Sequence, residues 1–167
     1  VASLTEFDQG WVLSVAGFSL RALGRLNEAV EPMNAGLEAD LAAHDWKRAA
    51  RSAGNLSELH LTLGNVTQAI ELARRSVEHA DRSGASFERM VLRTSLADAL
   101  HQTDQVAEAA TFFTEADGIQ KDWEPGYPFL YSLQGYRHCD FLLAMGKCEE
   151  VRQRAFWTLE LVKLHLG

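Results

Sequence analysis

Cysteines, clusters of basic residues and long apolar runs are all scarce in this sequence, and each scarcity excludes a class of protein. Two cysteines in 167 residues are too few for a disulfide scaffold, so a reducing, cytoplasmic setting is expected. The 16 basic residues form no dense run and are outnumbered by 23 acidic ones, which argues against a nucleic-acid partner. No apolar run reaches the roughly 18 residues of a membrane span. We therefore expect a cytoplasmic protein that binds neither nucleic acid nor membrane.

Motifs for catalysis, cofactors and metals are also missing. The sequence has no phosphate-binding loop, zinc-protease helix, nucleophile elbow or paired-cysteine motif. Cys139 and Cys148 are expected to be buried free thiols. Asp98 and His101, with His60 and His138 nearby, are conceivable metal ligands, but a histidine at such a place is usually a packed core residue. We expect no enzyme, no cofactor and no metal, and keep an enzyme or metal protein only as a minority hypothesis.

What the sequence does contain is an ordinary globular composition, with 47% apolar and 23% charged residues. One domain over residues 1–167 is expected. The chain lacks an initiator methionine, and its first residues already have helical character. We therefore expect it to be a segment of a longer protein.

The stretch LHLTLGNVTQAIELA, residues 59–73, raises the question of whether Gly64 kinks one helix or separates two. Glycine is common just past a helix end, where a positive φ is required. Asn65 and Gln68 then form a pattern typical of a capping box at the start of a new helix. Apolar residues recur at helical spacing on both sides. The pattern predicts a corner between two helices.

The corner recurs along the chain at Gly24, Gly64, Asp104 and Gly146, at intervals of 40, 40 and 42 residues. Five residues after each corner comes a small or β-branched apolar residue. Seven residues before each corner comes a small one, which lets paired helices approach closely. These positions hold Gly17, Ser57, Ala97 and Cys139 before the corners, and Ala29, Ala69, Ala109 and Val151 after them.

On these residues the chain resembles the tetratricopeptide repeat (TPR) family, from about residue 11 to about residue 161. The resemblance implies an all-α, right-handed superhelix of four helix-turn-helix repeats of about 40 residues, longer than the family's usual 34. Asp104 departs from the corner glycine, but Asp tolerates the same backbone region and could cap the next helix. The expected repeats are 9–42, 45–82, 86–122 and 128–165, with helices 9–23, 26–42, 45–63, 66–82, 86–103, 106–122, 128–145 and 148–165.

The resemblance also implies that the first helix of each repeat lines a concave groove, where a TPR protein binds its partners. At one groove position Glu58, Asp98 and Asp140 recur in three successive repeats, which predicts a row of carboxylates that attracts a basic partner. The alternative is that they keep the groove soluble and pair with Arg51, Arg93 or Arg137. The expected groove residues are Trp11, Phe18, Arg21, Arg51, Asn55, Glu58, Asp98, His101, Tyr136 and Asp140.

The family's carboxylate clamp, which binds the C termini of chaperones, does not fit this sequence. Only Asn55 matches when the clamp is started in the first repeat, and only Arg137 when it is started in the second. In the second frame Glu58 replaces a required asparagine and would repel a carboxylate terminus. The chain is therefore not expected to be a chaperone clamp.

Two hypotheses on function remain beside the minority one. The first is an interaction or scaffold module that binds a protein or peptide segment in the concave groove, with a basic partner as the sharper version. The resemblance implies a place within a larger regulatory or signalling protein. The alternative is self-association through the ends of the superhelix. The apolar sequence LELVKLHLG at residues 159–167 favours this second hypothesis, because solenoid ends are normally polar.

Overall fold

The computed structural model describes the backbone of residues 6–166 and the side chains of residues 10–163. This part of the chain contains eight α-helices and no β-strand, which confirms the all-α fold predicted from the sequence. The helices are α1 (Glu6–Ala22), α2 (Leu26–Ala42), α3 (Trp46–Thr62), α4 (Val66–Ser83), α5 (Ser86–Gln102), α6 (Val106–Trp123), α7 (Ser132–Ala144) and α8 (Cys148–Leu166).

The four predicted corners share one backbone conformation and one hydrogen bond. Gly24, Gly64 and Gly146 have φ of 74°, 79° and 71°, and Asp104 has 62°, so Asp does adopt the left-handed conformation predicted for it. After each corner, a backbone N–H donates to the carbonyl five residues back, as in a Schellman motif. The four bonds are Arg25 to Leu20 (2.9 Å), Asn65 to His60 (2.8 Å), Gln105 to Leu100 (2.9 Å) and Lys147 to Leu142 (2.9 Å).

The first two turns between repeats are as tight as the turns within them. His44 and Gly84 also have positive φ, 54° and 67°, so a left-handed residue occurs at 24, 44, 64, 84 and 104, at steps of twenty. The helices α2, α3 and α4 have 17, 17 and 18 residues. Two such helices and two short turns account for the period of 40.

The predicted capping box at Asn65 is wrong. The Asn65 side chain makes no capping hydrogen bond, because its Nδ2 is directed toward His60, 3.3 Å from Nδ1. Asp104 does not cap the following helix either, since the N-cap residue of α6 is Gln105. A side-chain cap is found instead at the turn between repeats, where Asp45 Oδ1 accepts from the backbone N–H of Arg48 at 3.0 Å.

The predicted start of α7 at residue 128 is four residues too early. Residues 124–131 form a loop, since the residue before a proline disfavours helical backbone and Pro125 and Pro128 both lie in it. The loop is held by Leu130, which is buried and whose N–H donates to Asp117 Oδ1 at 3.0 Å. The loop therefore packs onto α6 and is part of the fold.

The small residues predicted at the helix crossings are buried. Ser57 and Ala97 lie in the interior, and a Cβ on Gly17 would collide with the Met33 side chain. In the fourth hairpin this pattern weakens: Cys139 is half-buried, and Cys148 is exposed rather than buried as predicted. Cys148 is the first residue of α8, where its side chain meets solvent.

Candidate functional site

Four charged side chains, one from each first helix of a hairpin, are joined by ion pairs. Arg21 Nη2 on α1 lies 3.1 Å from Glu58 Oε2 on α3. Arg137 Nη2 on α7 lies 3.0 Å from Glu58 Oε1, and its Nε lies 3.5 Å from Asp98 Oδ2 on α5. We call this row the ionic ladder. Its existence means that α1, α3, α5 and α7 share one surface, which we call the first-helix surface.

Arg137 is the central member of the ladder. Its guanidinium bonds Glu58, which is 79 residues earlier in the chain, and donates from Nη1 to Ser95 Oγ at 2.8 Å. Its side chain is only 16% exposed, so little of its charge faces solvent. Arg137 therefore connects the second, third and fourth hairpins.

Glu58 is held as an anion by its two partners. Burial alone would raise the pKa of the Glu58 carboxyl, but hydrogen bonds from Arg137 and Arg21 outweigh burial and the pKa is lowered. Because two guanidinium groups already balance the charge of this carboxylate, it attracts a further cation only weakly.

The predicted row of carboxylates is thus largely neutralised within the protein. Glu58 and Asp98 pair with Arg137 as the alternative hypothesis expected, whereas Arg51 pairs with the buried Glu88 of α5. Arg93 also pairs away from the row, with Asp81 and Glu115. Asp140 is exposed and makes no ion pair with any residue in the part of the chain described.

The predicted aromatic residues are exposed at both ends of the ladder: Trp11 and Phe18 on α1, and Tyr136 on α7. Trp11 and Phe18 border a pocket of about 240 Å³ between α1 and α3. The polar wall of this pocket is the buried Asp40, whose pKa is raised by burial. Its two oxygens are bonded by Arg48 Nε at 2.9 Å and Ser52 Oγ at 2.7 Å. Both oxygens of Asp40 are therefore already bonded. The rest of the lining combines the two aromatic rings and Val15 with Ser14, Ser52, Arg48 and Arg51.

The remaining predicted residues have mainly structural contacts. Arg51 joins α3 to α5 through Glu88. Asn55 is half-buried and lines a depression of about 40 Å³ together with Phe18. The His101 ring packs edge-on against Phe141, with centroids 5.2 Å apart. His101 therefore has a packing contact on this surface, and its part in binding stays a prediction.

Sequence reasoning missed a second charged cluster, between α6, α7, α8 and the loop before α7. Asp117 Oδ2 lies 2.6 Å from Arg154 Nη2 and 3.3 Å from His138 Nδ1, while Oδ1 accepts from the Leu130 N–H. The guanidinium of Arg154 also lies 4.7 Å from the centre of the Phe129 ring. We call these residues the Asp117 cluster.

The Asp117 carboxyl is strongly stabilised in its charged form. Burial would raise its pKa, but the close contact with His138 and the hydrogen bonds from Arg154 and the Leu130 backbone lower it to about 2. A signal for this cluster exists in the sequence, because the places equivalent to Asp117 in the first two repeats hold Leu37 and Val77. A charged residue at an apolar repeat position needs a buried partner.

In the part of the chain that the structure describes, the geometry shows neither a metal site nor a membrane-spanning helix. Among the residues whose side chains are described, no group of three or more His, Cys, Asp and Glu side chains could hold a metal ion. His60 and His138, considered as ligands from the sequence, are both buried. None of the helices in the described backbone is long and apolar enough to cross a membrane.

Comparisons with known proteins point to one fold. No protein-family model matches the sequence, and no curated protein matches it. Among solved structures, a substituted form of a putative kinesin light chain with nearly identical TPR-like repeats, from Podosopora anserina, has a TM-score of 0.77 at 17% identity. The match covers 96% of this chain and 78% of that one.

Two further structures agree with the first. Another crystal structure of the Podosopora anserina putative kinesin light chain repeats has a TM-score of 0.69 at 18% identity, covering 93% of this chain and 76% of that one. BtubC (BKLC) from P. vanneervenii has a TM-score of 0.56 at 12% identity, covering 95% and 74%. With its eight described helices in four hairpins, the chain has the fold of a TPR-like helical repeat superhelix.

Proposed function

We propose that this chain is a protein interaction module whose first-helix surface binds an extended segment of a partner protein, as one part of a larger regulatory or signalling protein. One observation carries the proposal: Trp11 and Phe18 are exposed around a pocket at one end of this surface. Large exposed aromatic side chains beside a pocket are a common feature of binding surfaces.

The ionic ladder supports the proposal in a different way. Its members satisfy one another, so the surface stays ordered without a ligand and needs little rearrangement on binding. A partner segment would place an apolar side chain in the Trp11–Phe18 pocket and run across the ladder toward Tyr136. The ladder then positions the backbone of the segment more than it contributes affinity, because its ion pairs are partly exposed to water and already satisfied.

A basic partner remains the sharper version of the proposal. With Glu58 and Asp98 already paired, the carboxylate open to a lysine or arginine of the partner is Asp140. Asp140 lies on α7, on the same helix as Tyr136. A basic residue is therefore expected in the part of the bound segment that contacts α7.

The test is selection of peptides from a random display library on the immobilised chain, followed by fluorescence anisotropy on the peptides obtained. Phe18→Ala should weaken their binding at least about tenfold, since a central aromatic contact is typically worth more than about 1.4 kcal/mol. Phe156→Ala is the matched control, because Phe156 is 57% exposed and Phe18 54%, but Phe156 lies on α8. Equal binding to wild type and Phe18→Ala would contradict the proposal.

The preference for a basic partner can be tested separately with the same peptides. Peptides selected on the wild type should be enriched in lysine and arginine, and Asp140→Lys should weaken those peptides while leaving uncharged ones unchanged. If the selected peptides carry no excess of basic residues, binding at the first-helix surface still stands, but the preference for a basic partner is wrong.

Self-association through the ends of the superhelix is the second candidate function. The observation that favours it is a set of exposed apolar side chains at both ends, with Val12 and Leu13 on α1 and Leu159 and Val162 on α8. Light scattering over a concentration series tests it, and a monomer at every concentration would remove it.

A further inference from the structure

Arg137 lies on α7, but its hydrogen-bond and ion-pair acceptors belong to the two preceding hairpins. Its Nη2 lies 3.0 Å from Glu58 Oε1 of α3. Its Nη1 donates to Ser95 Oγ of α5 at 2.8 Å, and its Nε lies 3.5 Å from Asp98 Oδ2 of α5. Together the three acceptor side chains form a site for one guanidinium group. A side chain of the same protein occupies that site.

The shape of this site fits arginine better than lysine. Each of the three guanidinium nitrogens of Arg137 contacts a different acceptor. Lysine carries all its donors on a single nitrogen, whereas arginine holds them in a planar fork that can contact several acceptors at once. A cation that replaces Arg137 and keeps its three contacts is therefore another arginine side chain.

Two other contacts hold the carboxylates of this site in place independently of Arg137. Arg21 Nη2 of α1 lies 3.1 Å from Glu58 Oε2, and Gln102 Nε2 donates to Asp98 Oδ2 at 3.1 Å. Both carboxylates also belong to hairpins other than the fourth. An incoming arginine therefore meets acceptors that are already oriented, which lowers the cost of exchanging one guanidinium for another.

Arg137 has a second carboxylate close to it on its own helix. Asp140 follows it by three residues on α7, and side chains three residues apart are neighbours on a helix surface. Asp140 is exposed and forms no ion pair with the residues whose side chains the structure describes. The guanidinium of Arg137 can therefore leave the ladder and still pair with a carboxylate.

We propose that Arg137 is an internal competitor for binding at the first-helix surface. An arginine of the partner segment takes its place between Glu58, Ser95 and Asp98, and Arg137 turns to Asp140. This exchange rests on the proposed function and refines its preference for a basic partner, because Asp140 contributes by accepting the displaced side chain. Segments without an arginine leave the ladder as it is, so Arg137 makes the surface selective as well as ordered.

The first test compares Arg137→Gln with the wild type, using the same random display library on both immobilised proteins. With the competitor removed, peptides selected on Arg137→Gln should be richer in arginine than peptides selected on the wild type. In fluorescence anisotropy these arginine peptides should bind Arg137→Gln at least about fivefold more tightly, because apparent affinity falls with the fraction of molecules in which the site is free. Replacing the arginine of a peptide by lysine should remove most of this gain.

Arg74→Gln is the matched control for this comparison. Arg74 of α4 donates to Glu108 of α6 at 2.7 Å, so it also joins two hairpins, and its loss also removes one positive charge and frees one carboxylate. It lies on a second helix, outside the first-helix surface. Arginine peptides should therefore bind Arg74→Gln within about twofold of the wild type. Circular dichroism checks folding, and Arg137→Lys, with a smaller expected gain, is used if Arg137→Gln unfolds.

Asp140→Asn shows where the arginine of the partner binds. In the wild type this change removes the second carboxylate for Arg137 and should weaken arginine peptides at least about threefold. In Arg137→Gln there is no displaced guanidinium to accept, so the same change should alter binding by less than about twofold. An arginine that binds Asp140 directly would instead lose similar affinity in both backgrounds.

Two results would overturn the exchange while the proposed function stands. The first is an equal arginine content in the peptides selected on the wild type and on Arg137→Gln, or equal or weaker binding of the arginine peptides to the variant. The second is an equal loss of affinity from Asp140→Asn in both backgrounds. If neither protein selects any peptide, the proposed function fails and the exchange fails with it.

Discussion

The ionic ladder and the Asp117 cluster use the same chemistry, arginine against carboxylate, at different depths in the protein. The ladder residues Glu58 and Arg21 keep 33% and 27% of their side-chain surface exposed, whereas Arg154 in the cluster keeps 8%. Charges in the interior must be paired, because an isolated one is costly. The cluster is therefore essential to the fourth hairpin, while the ladder stabilises the fold weakly and leaves its surface open for binding.

The largest expected effect is at Asp117. Asp117→Ala leaves Arg154 buried without its main partner and should reduce the free energy of unfolding by about 3 kcal/mol. Asp122→Ala, an exposed change on the same helix, should alter it by less than about 0.5 kcal/mol. Urea denaturation of both variants measures the difference, and similar values for the two would contradict the role assigned to the cluster.

The second-largest effect is expected from acid, because protonation of Asp117 weakens the Asp117 cluster. The pKa of Asp117 is lowered from 3.8 to about 2, so its contribution is fully present above the unfolded pKa and is lost as pH falls toward 2. The contribution is about 2 kcal/mol. Unfolding free energies of wild type and Asp117→Asn between about pH 6 and pH 2 should converge at the acid end. A constant gap between the two curves would be evidence against this titration.

A smaller effect is expected at the ladder. Glu58→Gln removes the shared anion between Arg21 and Arg137, but both cations keep partial access to water. The free energy of unfolding should fall by about 1 kcal/mol. Glu71→Gln, an exposed change on α4, is the control for loss of a charge. A loss as large as that of Asp117→Ala would mean that the ladder is effectively buried.

The smallest expected effect is a difference in salt sensitivity between the ionic ladder and the Asp117 cluster. Raising the salt concentration from about 0.1 M to 1 M shortens the screening length from about 10 Å to about 3 Å. The coupling energy of Arg21 and Glu58 in a double-mutant cycle should fall from about 0.5 kcal/mol toward zero. The coupling of Arg154 and Asp117 should change little. Equal salt sensitivity of the two coupling energies would contradict the conclusion that the ladder is more exposed to solvent than the cluster.

The turns were predictable from the sequence because they are local. A residue that tolerates positive φ, with helical patterns on both sides, specifies a corner at Gly24, Gly64, Asp104 and Gly146, and all four are present. The bounds of α7 were less predictable, because the loop before it is held by Asp117, a contact outside the local sequence.

The pairing of arginines with carboxylates was harder to predict from the sequence. Glu58 and Asp98 could be placed on one surface by counting from the corners, but their shared partner is 79 residues from one of them. No local rule selects Arg137 over Arg51 or Arg93, since all three are arginines on first helices. Only the curvature of the superhelix decides which guanidinium reaches which carboxylate.

The bond between Arg137 and Glu58 has a mechanical consequence. Repeats in a solenoid ordinarily contact only their immediate neighbours, and such an assembly can stretch like a spring. Here a hydrogen bond of 3.0 Å connects the second hairpin with the fourth and passes over the third. Stretching the superhelix between these two hairpins must break this bond, so Arg137 opposes movement of the fourth hairpin away from the second.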